Sequence, residues 1–135
     1  MSTVDARELV PPDSFQYCKS RGLNPLILID PRIIKIYATI KSKFPKAFCN
    51  NWHYGGKYSQ SGYRNDGSGA PVSQHRFGRA IDIHGVDPRI LYNHLLKWRL
   101  LSYRDITAIE SLQDTPSWVH IDVRYSPAGF QIVRG

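Results

Sequence analysis

The chain has 135 residues, enough for one compact domain with a buried core and too few for two. Hydrophobic residues make up 41% and charged residues 21%, which excludes a disordered or fibrous chain. The formal charge of +7 favours a polyanionic partner, whether nucleic acid, an anionic membrane surface or the acidic polymers of a bacterial wall. The basic residues are dispersed, however, so a well-solvated surface explains them equally well.

A single domain is expected over residues 1–135, with 1–12 as an N-terminal arm ending at Pro11-Pro12. Met1 to Val10 includes acidic residues and no apolar core segment, so no secretory signal is expected. Asp13 or Ser14 is placed to cap a short helix running through Ser20, stopped by Gly22 and Asn24-Pro25. The longest aliphatic run, Leu26 to Ile29, is far short of a membrane span, and no membrane insertion is expected. Asp30-Pro31 is a cap followed by a helix-opening proline. Ile33, Ile36, Tyr37, Ile40 and Phe44 then recur at helical spacing until Pro45.

Residues 47–54 are expected to form a strand, and 55–72, rich in Gly, Ser, Tyr and Asn, a long loop. Arg79 to His84 alternates, with Ile81 and Ile83 on one side and Ala80, Asp82 and His84 on the other. Asp87-Pro88 opens a second helix with Ile90, Leu91, Leu95, Trp98 and Leu101 as its expected buried stripe. Ile106–Glu110, Ser117–Arg124 and Phe130–Val133 read as three further strands. The fold class is therefore α+β: a small, mostly antiparallel sheet with flanking helices on one side. Cys18 and Cys49 stand alone, with no CxxC spacing, and read as buried thiols.

Residues of metal-binding type fall in two clusters. The first is the run Ser73-Gln74-His75-Arg76-Phe77-Gly78-Arg79-Ala80-Ile81-Asp82, and the second is Trp118-Val119-His120-Ile121-Asp122. In the later strand Val119, Ile121 and Val123 form an apolar face, leaving Trp118, His120, Asp122 and Arg124 opposite. Pairing the two strands with apolar faces aligned turns Asp82 and His120 the same way, and Gly78 lets the preceding loop carry His75 back toward them. Ala80 is small where a bulky residue would crowd an ion. Two imidazoles and a carboxylate suit a catalytic zinc with a fourth position open to water. The alternatives are surface histidines and an Asp82 paired with Arg79 or Arg64.

The pattern Ser73-x-His75-x-x-Gly78-x-Ala80-x-Asp82, followed by Trp118-Val119-His120-Ile121-Asp122, resembles the zinc peptidases that trim peptidoglycan peptides. These are the D-alanyl-D-alanine carboxypeptidases and the L-alanyl-D-glutamate endopeptidases, which share a fold with lysostaphin-type enzymes and the hedgehog signalling domain. The resemblance spans about residues 47–124. It implies that His75, Asp82 and His120 hold Zn2+ on the sheet and that the chain is a zinc metallopeptidase. Ser61-Gly62-Tyr63-Arg64 is similar to the family's segment ahead of the metal motif, which gives Arg64 the role of orienting substrate and stabilising charge on the attacked carbonyl. Ser73 and Tyr63 are expected to touch substrate beside it.

The chain departs from the family at the general base. Many relatives carry a glutamate three residues before the final histidine, and here that position is Ser117. Glu110 is the expected replacement, because Ile109 belongs to the core and a hairpin through Thr115-Pro116 would return the chain beside His120. Asp122 is the second candidate, or else an acceptor that fixes an imidazole. His53 and His84 are weaker site candidates, and His94 reads as structural. Tyr54, Tyr58 and Tyr63 are expected to line a basic groove for peptides with free carboxylates.

The implied function is hydrolysis of peptidoglycan stem peptides by a phage endolysin or virion-associated lysin. Such a protein is made in the host cytoplasm without a signal peptide and acts at the bacterial cell wall, alone or with other virion proteins. The alternative is a non-enzymatic, zinc-containing wall-binding or structural virion module, since the hedgehog branch keeps a zinc site in a binding domain. Nucleic acid is not an expected partner, as no recognised binding signature is present.

Overall fold

The computed structural model of the protein describes residues 4–134. Among them are three α-helices, α1 (Pro12–Ser20), α2 (Pro31–Lys43) and α3 (Pro88–Ser102), and four strands, β1 (Ala80–Ile83), β2 (Ala108–Glu110), β3 (Val119–Asp122) and β4 (Gln131–Val133). No helix among the described residues is long and apolar enough to cross a membrane.

Helices α2 and α3 start by the same device. Asp30 and Asp87 accept the N–H of Arg32 and Arg89, each at 2.9 Å, and a proline takes the first helical position. Helix α1 begins at Pro12 with no side-chain cap. Asp13 and Ser14, expected as its cap, lie inside its first turn, where both accept from the Asn65 amide at 2.7 Å and tie the helix to the long loop.

The strand order is β1-β3-β2-β4. Strand β3 is antiparallel to both β1 and β2, whereas β4 runs parallel to β2, so the open sheet is mixed. The reason lies in the register. Asp122, the last residue of β3, and Gln131, the first of β4, both sit level with Ala108 of β2. A chain that leaves β3 at that level and enters the sheet beyond β2 at the same level must run with β2.

One face of the sheet carries the core. Ile81, Ile83, Ile109, Val119, Ile121 and Val123 share a buried cluster with Ile33, Ile36 and Ile40 of α2 and Leu91 and Leu95 of α3. Ile121 is fully buried in the middle strand between β1 and β2. Ile121→Ala is expected to cost about 2–5 kcal/mol through lost burial and the cavity left behind. Urea denaturation should show a lower midpoint at unchanged slope. Cys18 and Cys49 are buried free thiols, as expected.

Three expectations need correction. Residues 4–12 are not an arm: Leu9 and Val10 are fully buried, and the carbonyl oxygens of Glu8, Leu9 and Val10 accept from Asn50 N–H, Tyr63 N–H and the Trp52 indole. Residues 1–3 lie outside the described part. Residues 47–54 are not a strand, making a single bridge between Phe48 and His84 and then a 3-10 turn at Trp52–Tyr54. The Asn50 and Asn51 side chains accept from Ser61 and Tyr58 N–H, each at 2.9 Å, offering the backbone a local alternative to a ladder. Finally, the buried stripe of α3 is Leu91 and Leu95, while Ile90, Trp98 and Leu101 face outward.

Candidate metal centre

Strands β1 and β3 pair so that Asp82 stands directly opposite His120. Their apolar neighbours face the core, so strand alternation turns both side chains to the other face of the sheet. His75 arrives from the 3-10 turn Gln74–Phe77, which ends at Gly78 with φ 67°. A Cβ there would collide with the Leu28 carbonyl oxygen, so both conformation and space demand glycine. The Gly78 carbonyl accepts the Asp30 N–H at 2.9 Å, pinning the turn to the start of α2.

His75 Nε2 and His120 Nδ1 lie 3.2 and 2.9 Å from the same oxygen, Asp82 Oδ1. The three donor atoms fall within 4.8 Å of one another, and the group could hold a metal ion. The remaining nitrogens support that fit. His75 Nδ1 is 2.9 Å from the Gly62 carbonyl, which can only accept, so Nδ1 donates there and Nε2 is the nitrogen turned to Asp82 that a metal ion would take. His120 Nε2 is 2.9 Å from Asp122 Oδ2, and Asp122 also takes two bonds from the Arg124 guanidinium at 2.7 and 2.5 Å. Each imidazole is thus held by a partner behind it, the arrangement that orients metal-binding histidines.

The electrostatics are those of a tight cluster. Burial would raise the Asp82 pKa, but the imidazoles of His120 and His75 outweigh it and hold the carboxyl well below the usual carboxylate range. Burial would likewise lower that of His120, yet its bonds to Asp122 and Asp82 push it up to about 9. The ring therefore holds a second proton at neutral pH, which a metal ion would displace. Burial acts to raise the Asp122 carboxyl as well, and Arg124 and His120 more than offset it, keeping Asp122 ionised. Asp122→Asn is expected to weaken metal affinity about 10- to 100-fold without unfolding the protein. Competition with a chromophoric chelator would measure it.

The centre opens on a cleft of about 500 Å³. Glu110 lines it from the third adjacent strand, with Oε2 3.8 Å from His120 Nδ1. The pairing of Ile109 with Ile121 is what carries Glu110 beside His120, as the hairpin expectation required. Arg64 lines the same cleft, its Nη2 3.5 Å from Asp82 Oδ2 and its Nε donating to the Gln60 carbonyl at 3.2 Å. Ser73 is there too, at the N-cap of the His75 turn, with a side chain that does not cap it. Asp122 has no exposed side-chain surface and stands behind His120 rather than in the cleft.

Tyr63 is placed elsewhere. Its N–H bonds to Leu9 while the N–H of Arg64 bonds to His75, so consecutive residues face opposite neighbours. Tyr63 packs against the core and lines a separate pocket with Tyr17 and Ile27. Tyr58 stacks on His84 at 4.2 Å and Tyr54 is almost fully exposed, so the expected tyrosine groove does not line this cleft. Trp118 supplies the aromatic wall, joined by Arg124. Alternation along β3 had already put both on the His120 face. Val133 and Arg134 also line the cleft, and no sequence signal pointed to them, because they arrive on the parallel strand.

The other histidines stand apart from the centre. His84 Nε2 is 3.0 Å from Ser61 Oγ, and burial lowers its pKa. His53 has both ring nitrogens buried without a hydrogen-bond partner. His94 bonds to the Tyr103 hydroxyl at 2.9 Å and packs edge-on against Phe44, a structural role as expected. Set against known proteins, the chain matches no family profile, no curated protein and no solved structure.

Proposed function

We propose that the protein is a zinc-dependent peptidase that hydrolyses peptide bonds in the stem peptides of bacterial peptidoglycan, as a phage endolysin or virion-associated lysin. The observation that carries this reading is the row Asp82, His120, Glu110 across three adjacent strands, with His75 closing the donor set. Two imidazoles and one carboxylate, open on one side to a cleft, are the donors of a catalytic rather than a structural zinc site. A fourth titratable group, Glu110, lies beside that set without belonging to it. The likeness of the two motifs to peptidoglycan peptidases supplies the substrate class.

Zinc bound there would act as a Lewis acid on the scissile carbonyl and lower the pKa of a water molecule to about 7. The Glu110 carboxylate is placed to take the proton of the attacking water and return it to the leaving amine. The Arg64 guanidinium offers fixed positive charge where the carbonyl oxygen becomes negative. Asp122 and Arg124 hold His120 from behind, keeping Nδ1 toward the cleft. Ser73 and Trp118 line the remaining wall, giving a hydroxyl and an aromatic face for the peptide, and Arg134 beside them is paired with Asp114 at 2.9 Å.

The test is mass spectrometry of fragments released from purified peptidoglycan by the zinc-loaded protein, with His75→Ala as control. New stem-peptide fragments absent from the control would identify the bond cut. No release, from protein shown to hold one zinc, would favour the non-enzymatic wall-binding module.

A further inference from the structure

Helix α3 turns an apolar surface outward. Leu91 and Leu95 are fully buried against the sheet, yet Ile90, Trp98, Leu100 and Leu101 are 58%, 39%, 66% and 78% exposed. Helical spacing brings Ile90 and Leu101 within about 20° of each other, with Lys97 alongside them and with Trp98 and Leu100 about 80° to either side, so the four apolar residues spread over one broad outward face. The sequence from 88 to 104 contains Arg89, Lys97, Arg99 and Arg104 and no acidic residue. Arg99 turns inward over the Phe130 ring, 4.4 Å from its centroid, and Lys97 lies over Trp98 at 5.4 Å. At the C-terminal end of α3 a cleft of about 460 Å³ brings Lys35 of α2 together with Arg104, and Leu101 lines it. Asp105 also lines that cleft, leaving two cations against one carboxylate.

We propose that this face of α3 docks on an anionic lipid bilayer. Its leucines and Trp98 would enter the boundary between headgroups and acyl chains, and Arg89, Lys97, Arg104 and Lys35 would meet lipid phosphates. Charge decides among occupants. A second copy in a two-fold contact would set these cations against themselves. A soluble polyanion would satisfy the cations and leave the apolar face in water. An anionic bilayer answers both. Because α3 covers the apolar face of the sheet and the metal residues lie on the other, the docked protein would present its cleft away from the membrane.

The test is co-sedimentation of the full chain with vesicles of phosphatidylcholine, with and without phosphatidylglycerol, at about 0.15 M salt. Binding to the anionic vesicles should be at least about ten-fold tighter than to neutral ones. The exposed double substitution Leu100→Ser with Leu101→Ser should weaken it by a further factor of about ten or more, with an unchanged circular dichroism spectrum. Absence of binding to anionic vesicles would overturn the proposal. So would a double variant that binds like the parent and is displaced by dextran sulfate, which would reduce the contact to charge alone. A dimer abolished by the same double substitution would assign the face to a second copy instead.

Discussion

Glu110→Gln is expected to lower the rate of stem-peptide hydrolysis by about 10²- to 10⁴-fold while leaving metal content and fold intact. The substitution keeps shape and removes the ability to take a proton. Glu110 suits that role because it lies against the metal-binding group without being part of it, 3.8 Å from His120 Nδ1 and partly open to the cleft. Asp122, the other candidate, has no exposed side-chain surface and is committed to His120 and Arg124. Its replacement should therefore act through metal affinity, and excess zinc should restore much of the activity of Asp122→Asn. Excess zinc should do nothing for Glu110→Gln. Turnover at saturating metal separates the two roles, and full activity of Glu110→Gln would place the base elsewhere.

Asp82→Ala is expected to abolish metal binding, an effect larger than the roughly 10- to 100-fold losses seen when an outer partner is removed. One oxygen of Asp82 faces both imidazoles, while its other oxygen faces Arg64. Its loss removes a ligand and also leaves His120 and Arg64 without their shared counter-charge. In metal-free protein the second effect should cost about 3 kcal/mol or more, the size found when a buried ion pair loses one member. Added zinc should raise the melting temperature of the parent chain, since the folded state alone presents the full donor set, and should leave the variant unmoved. A variant that keeps stoichiometric zinc would move the site away from Asp82.

Local chemistry made much of this legible in the sequence. Asp30-Pro31 and Asp87-Pro88 announce two helix starts, because a carboxylate cap and a proline without N–H fit the first turn and little else. The alternation of Ile81 with Asp82 and of Ile121 with His120 puts the ligands on one face once the apolar residues take the other. Non-local features were hidden. That β4 lies parallel to β2 depends on where the chain re-enters the sheet, and it brings Val133 and Arg134 into the cleft unannounced. Leu9 and Val10 are short apolar residues in an otherwise polar opening, and only the space left by α2 and the loop makes them core. Helix α3 misled because it is apolar on more than its buried side, and periodicity cannot tell which stripe meets the sheet. Tyr63 and Arg64 share one short sequence segment, yet their adjacent side chains serve opposite sides of the loop, which sequence proximity alone does not reveal.

X-ray absorption at the zinc edge on the loaded protein tests the metal centre most directly. The expected first shell is nitrogen and oxygen only, at about 2.0–2.2 Å, with the imidazole signature of two histidines and its disappearance in Asp82→Ala. A shell containing sulfur at about 2.3 Å, from Cys18 or Cys49, or a zinc signal unchanged in Asp82→Ala, would contradict a centre built from His75, Asp82 and His120.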